Sequence, residues 1–285
     1  VAGHADRLFL LQYGAERVTK ALSLRGGDQT LYWEPLFGAL VETGAGWVLL
    51  DTGMGRPALD SADVTAAYAV GGDHSPNRDT PWHLHPAPPR ADAWTWGLTG
   101  DPMATALATV GLTPADLALA AVSHLHVDHS GGVPLLAAAG VPVALQRGEL
   151  DFARSGAVGV AEGFHAPDWS APHTRWRLLD GDAELAPGVW AVGTPGHTPG
   201  HMSFRVDLPG TGTWLFAADA ADLAQNVLDG TPCGSAAAGT EQDERRAAES
   251  LHRLLELAAD TDARLVPGHD QLVLSAVRHP PGGHR

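Results

Sequence analysis

"AVSHLHVDHSGG", residues 121 to 132, sets three histidines and an aspartate into six positions between an apolar run and two glycines. If residues 121 to 124 close a buried strand, the two-residue period of a strand sends His124 and His126 to one side. Asp128 and His129 then follow as the backbone turns. Gly131 and Gly132 let the chain turn tightly before a helix that starts near Pro134. The chain has 15 histidines, and a polar turn after a strand is ordinary. Four ligand-type side chains in six positions are not, because neither packing nor turn geometry asks for that density.

Three other apolar runs end the same way. "GVWAVGTPGHTPGH" (188 to 201) carries His197 in a turn rich in Pro and Gly, "WLFAAD" (214 to 219) ends in Asp219, and "RLVPGH" (264 to 269) ends in His269. A lone zinc takes four N or O ligands, and a metal pair takes about seven or eight with one bridge. His124, His126, Asp128, His129, His197, Asp219 and His269 supply a set that fits two metals.

The runs that carry these residues belong to a wider series of strand-length segments: residues 7–13, 37–43, 47–53, 117–124, 141–147, 188–194, 201–207, 213–219 and 263–269. Helical signals lie between them. Asp101 caps a helix that begins at Pro102 and stops before Gly111, and Thr113 with Pro114 starts a short turn. A longer helix begins near Thr240, with Ala247, Leu251, Leu254, Leu255 and Ala258 on one face and His252 on the solvent side. Strands mixed with helices on this scale predict α/β layers. The expectation is one domain over residues 1–285 with loop-rich insertions at about 56–100 and 153–176, where Pro and Gly oppose regular structure.

Composition narrows the function. With 18% charged residues and 44% hydrophobic ones the chain can build a core, so wholesale disorder is excluded. A formal net charge of −15 opposes a nucleic-acid surface. No apolar run reaches the roughly 20 residues of a membrane span, and no basic segment leads into an apolar one at the N-terminus. A cytoplasmic location is expected, with processing upstream of Val1 left open. One cysteine, Cys233, forbids an internal disulfide and a Cys-rich zinc site, so any metal here relies on His and carboxylate.

The set HxHxDH, then "TPGHTPGH", the strand-end Asp219 and the closing "PGHD" resembles the metallo-β-lactamase superfamily. Within it, "SHLHVDHSGG", "VLLDTGM" and "LAPGVWAVGTPGHTPGH" are most similar to the N-acyl-homoserine lactone hydrolases, the quorum-quenching lactonases. The resemblance spans roughly residues 30 to 55 and 100 to 272. It implies a four-layer αβ/βα sandwich with two divalent metal ions, zinc by default and Mn2+, Co2+ or Fe2+ as alternatives. One metal would take His124, His126 and His197, the other Asp128, His129 and His269, with Asp219 bridging. A hydroxide between the metals would attack the lactone carbonyl. Asp128 and Asp219 are the candidate catalytic residues, Asp128 first as a ligand and then as a proton carrier. A small-molecule substrate is the expected partner, with neither nucleic acid nor membrane, and with a homodimer as an option.

Asp51 in "LLDTG" falls outside the ligand set. It either holds a ligating histidine through its second ring nitrogen or serves as a turn residue before Gly53. Family lactonases place a tyrosine three residues after the bridging aspartate, and Asp222 stands there in this chain. Tyr13, Tyr32 and Tyr68 are far away in sequence. Asp222 is therefore expected to face solvent or to orient another residue. His201 is read as structural, Cys233 as an inert small residue, His74, His165 and His173 as without motif support, and the "WHLH" at 82 to 85 as an exposed loop. Trp82, Trp94 and Trp96 suit an apolar wall for an acyl chain, core packing or a dimer contact. The competing functions are hydrolysis of another ester, a thioester, a phosphotriester or a β-lactam at the same site, and a mononuclear iron dioxygenase.

Overall fold

A computed structural model of the chain describes residues 3–64, 100–234, 239–270, 273 and 279–285. Eleven strands among these form two sheets. The first holds β1 (Arg7–Thr19), β2 (Leu31–Thr43), β3 (Gly46–Leu50), β4 (Leu117–Ala121), β5 (Pro142–Gln146) and β6 (Arg175–Leu179) in that spatial order. The second holds β7 (Ala183–Ala186), β8 (Val189–Gly193), β9 (Met202–Leu208), β10 (Gly212–Ala218) and β11 (Arg264–Pro267), in the order β11-β10-β9-β8-β7. The β1–β2–β3 meander is antiparallel, and β3 to β6 run parallel.

Strand alternation produces the layers. Val48 and Leu50 of β3, with Leu119 and Ala121 of β4, meet Phe204, Val206, Trp214 and Phe216 of the second sheet in one buried cluster between the sheets. Leu49 and Ala120, one residue out of phase, face the opposite way onto Met103, Leu107 and Leu136 of the helices Pro102–Thr109 and Val133–Ala139. On the far side, Leu215 and Ala217 of β10 pack on Leu251 and Leu254 of the helix Glu241–Thr261. The order is helix, sheet, sheet, helix, the four-layer αβ/βα sandwich.

The helices start where the sequence places them, with Asp101 the cap it names. Asp101 accepts from Ala104 N at 3.2 Å, Thr240 accepts from Asp243 N at 3.2 Å, and Asp116 closes the Pro114–Asp116 turn back onto Thr113 N at 2.8 Å. His252 lies on the exposed side of its helix against Glu256. Segment 153–176, expected as loop, contains the end of the helix Arg147–Arg154, a 3-10 turn at Val160–Glu162 and the helix Ala166–Trp169. In the other expected insertion, Arg56–Leu59 is helical, and residues 65–99 lie outside the described residues with "WHLH", His74, Tyr68, Trp82, Trp94 and Trp96. Among the described residues no helix is long and apolar enough to cross a membrane.

Candidate metal centre

The C-terminal ends of β4, β8, β10 and β11 supply the site. After β4 the chain passes through Val122–His126 into a four-residue helix, Val127–Ser130, which carries Asp128 and His129. The loop after β3 locks that helix in place. Thr52 N donates to His129 O at 2.9 Å, and Gly132 N donates to Thr52 Oγ1 at 2.9 Å. At Gly131 the two backbones meet directly: a Cβ there would lie 1.9 Å from Gly55 N, so only glycine fits. The "TPGH" turn seats against the long helix in the same way, with a Cβ on Gly196 falling 2.2 Å from Ala247 N. Asp51 (φ 59°) and Ala218 (φ 46°) take left-handed backbone conformations beside the site, a strain that the surrounding structure must hold.

All seven residues expected from the sequence converge, and all but His126 are buried. They form two groups that share Asp219: His124, His126, His197 and Asp219, and Asp128, His129, His269 and Asp219, with candidate ligand atoms in each group within 4.8 Å of one another. Asp219 presents one oxygen to each. Its Oδ2 lies 3.2 Å from His197 Nε2 and 3.7 Å from His124 Nε2, and its Oδ1 lies 3.0 Å from His129 Nε2 and 3.2 Å from His269 Nε2. Asp128 Oδ2 adds contacts of 3.2 Å to His129 Nε2 and 3.7 Å to His269 Nε2.

The imidazoles are held by their outer nitrogens. His124 Nδ1 meets Ser123 Oγ at 3.0 Å, His129 Nδ1 meets Asp51 Oδ2 at 3.1 Å, and His269 Nδ1 meets Pro35 O at 3.2 Å. Their Nε2 atoms turn inward to the carboxylates, and that of His124 is buried without a hydrogen-bond partner. Imidazoles fixed on one nitrogen and turned inward on the other, around a shared carboxylate, fit a divalent metal site. Asp51 thus braces a histidine as well as shaping the turn, and its Oδ1 also accepts from Ser123 N at 2.6 Å.

Electrostatics agree with a ligand role. Burial first, then neighbouring histidines, push His124 well below its usual range and His126 down to about 3, so both rings are neutral as ligation requires. Burial opposes the Asp219 anion, but His129, His269, His124 and His197 outweigh it and hold the carboxyl well below the usual range. His201 behaves as expected: its Nδ1 lies 3.1 Å from Thr194 O, its Nε2 accepts from Asp219 N at 3.1 Å, and burial lowers it to about 3. His165 pairs with Asp168 at 2.9 Å, and His173 is exposed.

Asp222 departs from its expected exposure. It is buried, it lines the cavity, and its Oδ1 has no hydrogen-bond partner. Burial and then the Asp219 charge hold its carboxyl well above the usual range, and the Cys233 thiol beside it is itself pushed up by burial. Tyr13, remote in sequence, is structural here: its hydroxyl donates to Asp51 O at 3.0 Å.

Three further residues carry no motif. Glu149 Oε1 accepts from Leu125 N at 2.9 Å and its Oε2 from Gly200 N at 3.0 Å, joining the "SHLH" loop to the "TPGH" turn. Burial raises its carboxyl to about 7 against the hydrogen bonds from Thr198, Leu125 and Gly200. Glu16 and Glu34, on β1 and β2, are buried in the wall of the cavity onto which His126, Asp128, His197, Asp219 and His269 also open. That cavity measures about 670 Å³, the size of a small-molecule site.

The Metallo-beta-lactamase superfamily profile matches residues 37–269. An N-acyl homoserine lactonase of Bacillus thuringiensis is 28% identical over 236 residues, covering 83% of this chain and 81% of its own. A solved N-acyl homoserine lactone hydrolase with the product N-hexanoyl-L-homoserine bound at its catalytic metal centre superposes with a TM-score of 0.75 at 24% identity, over 96% of this chain and 97% of that one. A dizinc quorum-quenching lactonase superposes with a TM-score of 0.62 at 17% identity, over 93% and 87% of the two chains.

Proposed function

The chain belongs to the metallo-β-lactamase superfamily, and from the two buried His/Asp groups that meet at Asp219 we propose that it is a dinuclear metal-dependent hydrolase opening a lactone ring. The N-acyl-homoserine lactones for which its relatives are named are the reference substrates. His124, His126 and His197 would hold one divalent ion and Asp128, His129 and His269 the other, with Asp219 reaching both. Zinc suits these ligands, as do manganese, cobalt and iron. Bound there, divalent ions supply Lewis acidity and a water-derived nucleophile at neutral pH.

The chain's own groups do the positioning. Asp51, Ser123 and the Pro35 carbonyl fix the rotation of three imidazoles. His201 and the β10 terminus aim Asp219. Asp128 lines the cavity and would take the proton released by the attacking water and pass it to the leaving ring oxygen. The observation that carries this reading is the division of the two Asp219 oxygens between separate histidine groups.

Metal quantification on the preparation used for a panel of lactones, thioesters, phosphotriesters and β-lactams tests it. About two metals per chain with lactone opening are expected, and Asp219→Ala should lose both. Full turnover by that variant refutes the shared-carboxylate reading, and one iron per chain with oxygen uptake replaces hydrolysis by dioxygenase chemistry.

A further inference from the structure

The cavity wall adjoining the His/Asp groups is acidic. Glu16 and Glu34 are direct partners across the antiparallel β1–β2 ladder, and both line the cavity with Asp222. Like charges set opposite each other on neighbouring strands oppose pairing, so sheet formation does not account for them. Glu34 accepts from Ser23 Oγ. Glu16 is only 4% exposed and its Oε2 has no hydrogen-bond partner; Asp222 is equally buried and its Oδ1 is in the same condition. Buried polar atoms left unpaired are costly, and a ligand that completes them explains their retention. No Lys or Arg among the described residues lines this cavity.

The chemistry of the missing partner follows from the neighbours. Ligand-type atoms of Glu16, Glu34 and His269 lie within 4.8 Å of one another, so the acidic pair adjoins the second His/Asp group. A further metal ion there is poorly served, because His269 already turns Nε2 to Asp219 and Nδ1 to Pro35 O. A nitrogen that carries both positive charge and several N–H donors satisfies carboxyl oxygens arriving from three directions, and its charge offsets the burial that otherwise favours protonated carboxyls in this wall. We propose that Glu16, Glu34 and Asp222 form a subsite for a protonated amine on the substrate, next to the carbonyl that is attacked. The inference rests on the hydrolase reading above and narrows its substrate to lactones or esters with an ammonium group a few bonds from the scissile carbonyl.

Two probe pairs test it on the metal-loaded enzyme. The first compares 2-amino-γ-butyrolactone, at a pH where its amine is charged, with γ-butyrolactone, which lacks the amine. The kcat/KM ratio of the charged to the neutral lactone should fall by roughly tenfold or more in Glu16→Gln/Glu34→Gln, the worth of one charge-assisted hydrogen bond. The single Glu16→Gln variant should show a smaller fall of the same sign and serves if the double variant folds poorly. An unchanged ratio overturns the proposal. Equal loss on both lactones with reduced metal content also overturns it, because the carboxylates then act as counter-charge for the metals.

The second pair has no bond to cleave: cyclopentylammonium and cyclopentanol, titrated calorimetrically. Cyclopentylammonium should bind the parent more tightly than cyclopentanol does and lose that advantage in the double variant. If it does so while no lactone is turned over, the subsite stands and the lactonase reading falls. If both probes bind alike, the subsite falls whatever the activity.

Discussion

Replacing Asp51 by Asn separates a carboxylate that serves the metal centre from one that serves only a turn. Asp51 accepts from Ser123 N at 2.6 Å through Oδ1 and meets His129 Nδ1 at 3.1 Å through Oδ2. Asparagine keeps the shape but offers one oxygen. The Ser123 amide is buried and fixed, so the Asn oxygen goes to it, and the Asn amide group faces His129. A donor at that position favours the ring tautomer with its proton on Nε2, the nitrogen that must be bare to ligate. The loss is one charge-assisted hydrogen bond, about 1.5–3 kcal/mol, or on the order of 10- to 100-fold in metal affinity.

Proton competition adds a pH signature. In the metal-free chain burial opposes the His129 charge, but Asp219, Asp128 and Asp51 outweigh it and hold the ring well above its usual range. Metal must displace that proton. Removing Asp51 lowers the His129 pKa and so weakens the competition. The affinity deficit of Asp51→Asn should therefore be largest at alkaline pH and shrink as pH falls. Chelator competition at pH 6 and pH 8.5, with metal content measured after dialysis, reads both effects. An Asp51→Asn protein that binds metal within about twofold of the parent at both pH values would refute the bracing role.

Two other substitutions probe the frame. Gly131→Ala places a Cβ 1.9 Å from Gly55 N, with backbone on both sides and no flexible side chain to yield; urea denaturation should show a loss of about 3 kcal/mol or more, and a shift under roughly 0.5 kcal/mol contradicts the close approach. For Glu149, burial raises the folded carboxyl from 4.5 to about 7. The folded state then holds the proton more tightly, so this stabilisation is full below pH 4.5 and is lost as pH rises to about 7, an interval worth roughly 3 kcal/mol. Between pH 5 and pH 8 Glu149→Gln should lose less stability than the parent, and parallel pH profiles in urea denaturation of the metal-free proteins would sink this account.

Much of the fold is legible because apolar runs bounded by turn residues are strands in a buried sheet. All nine runs are strands here, and Asp101 and Thr240 cap the helices that their positions announce. The two unforeseen strands, β6 and β7, are sheet edges. In β6, "RWRLL", the arginines are exposed while Trp176 and Leu178 are only half-buried, so no apolar run marks it. The second half of β1, through Thr19, and the first half of β2, from Leu31, are strands because they pair with each other. That pairing is a long-range fact with no local signal. The helix Val127–Ser130 is too short to show a period.

The same contrast divides the site. Each metal-type residue follows an apolar strand inside a short motif, so position in the sequence already places it at a sheet edge. Asp51 could be narrowed only to two roles, because its partners His129 and Ser123 lie more than 70 residues away. Glu16 in "GAERV" and Glu34 in "YWEPL" read locally as solvated positions, and only the β1–β2 register sets them face to face inside the cavity. Asp222 reads as a lost tyrosine until its burial beside that pair gives it company. The groups that would hold metal thus come from strand ends, whereas the acidic wall comes from a hairpin and one residue after β10. On the amine-subsite proposal, substitution in the hairpin therefore alters which substrate is accepted without touching a metal-type residue.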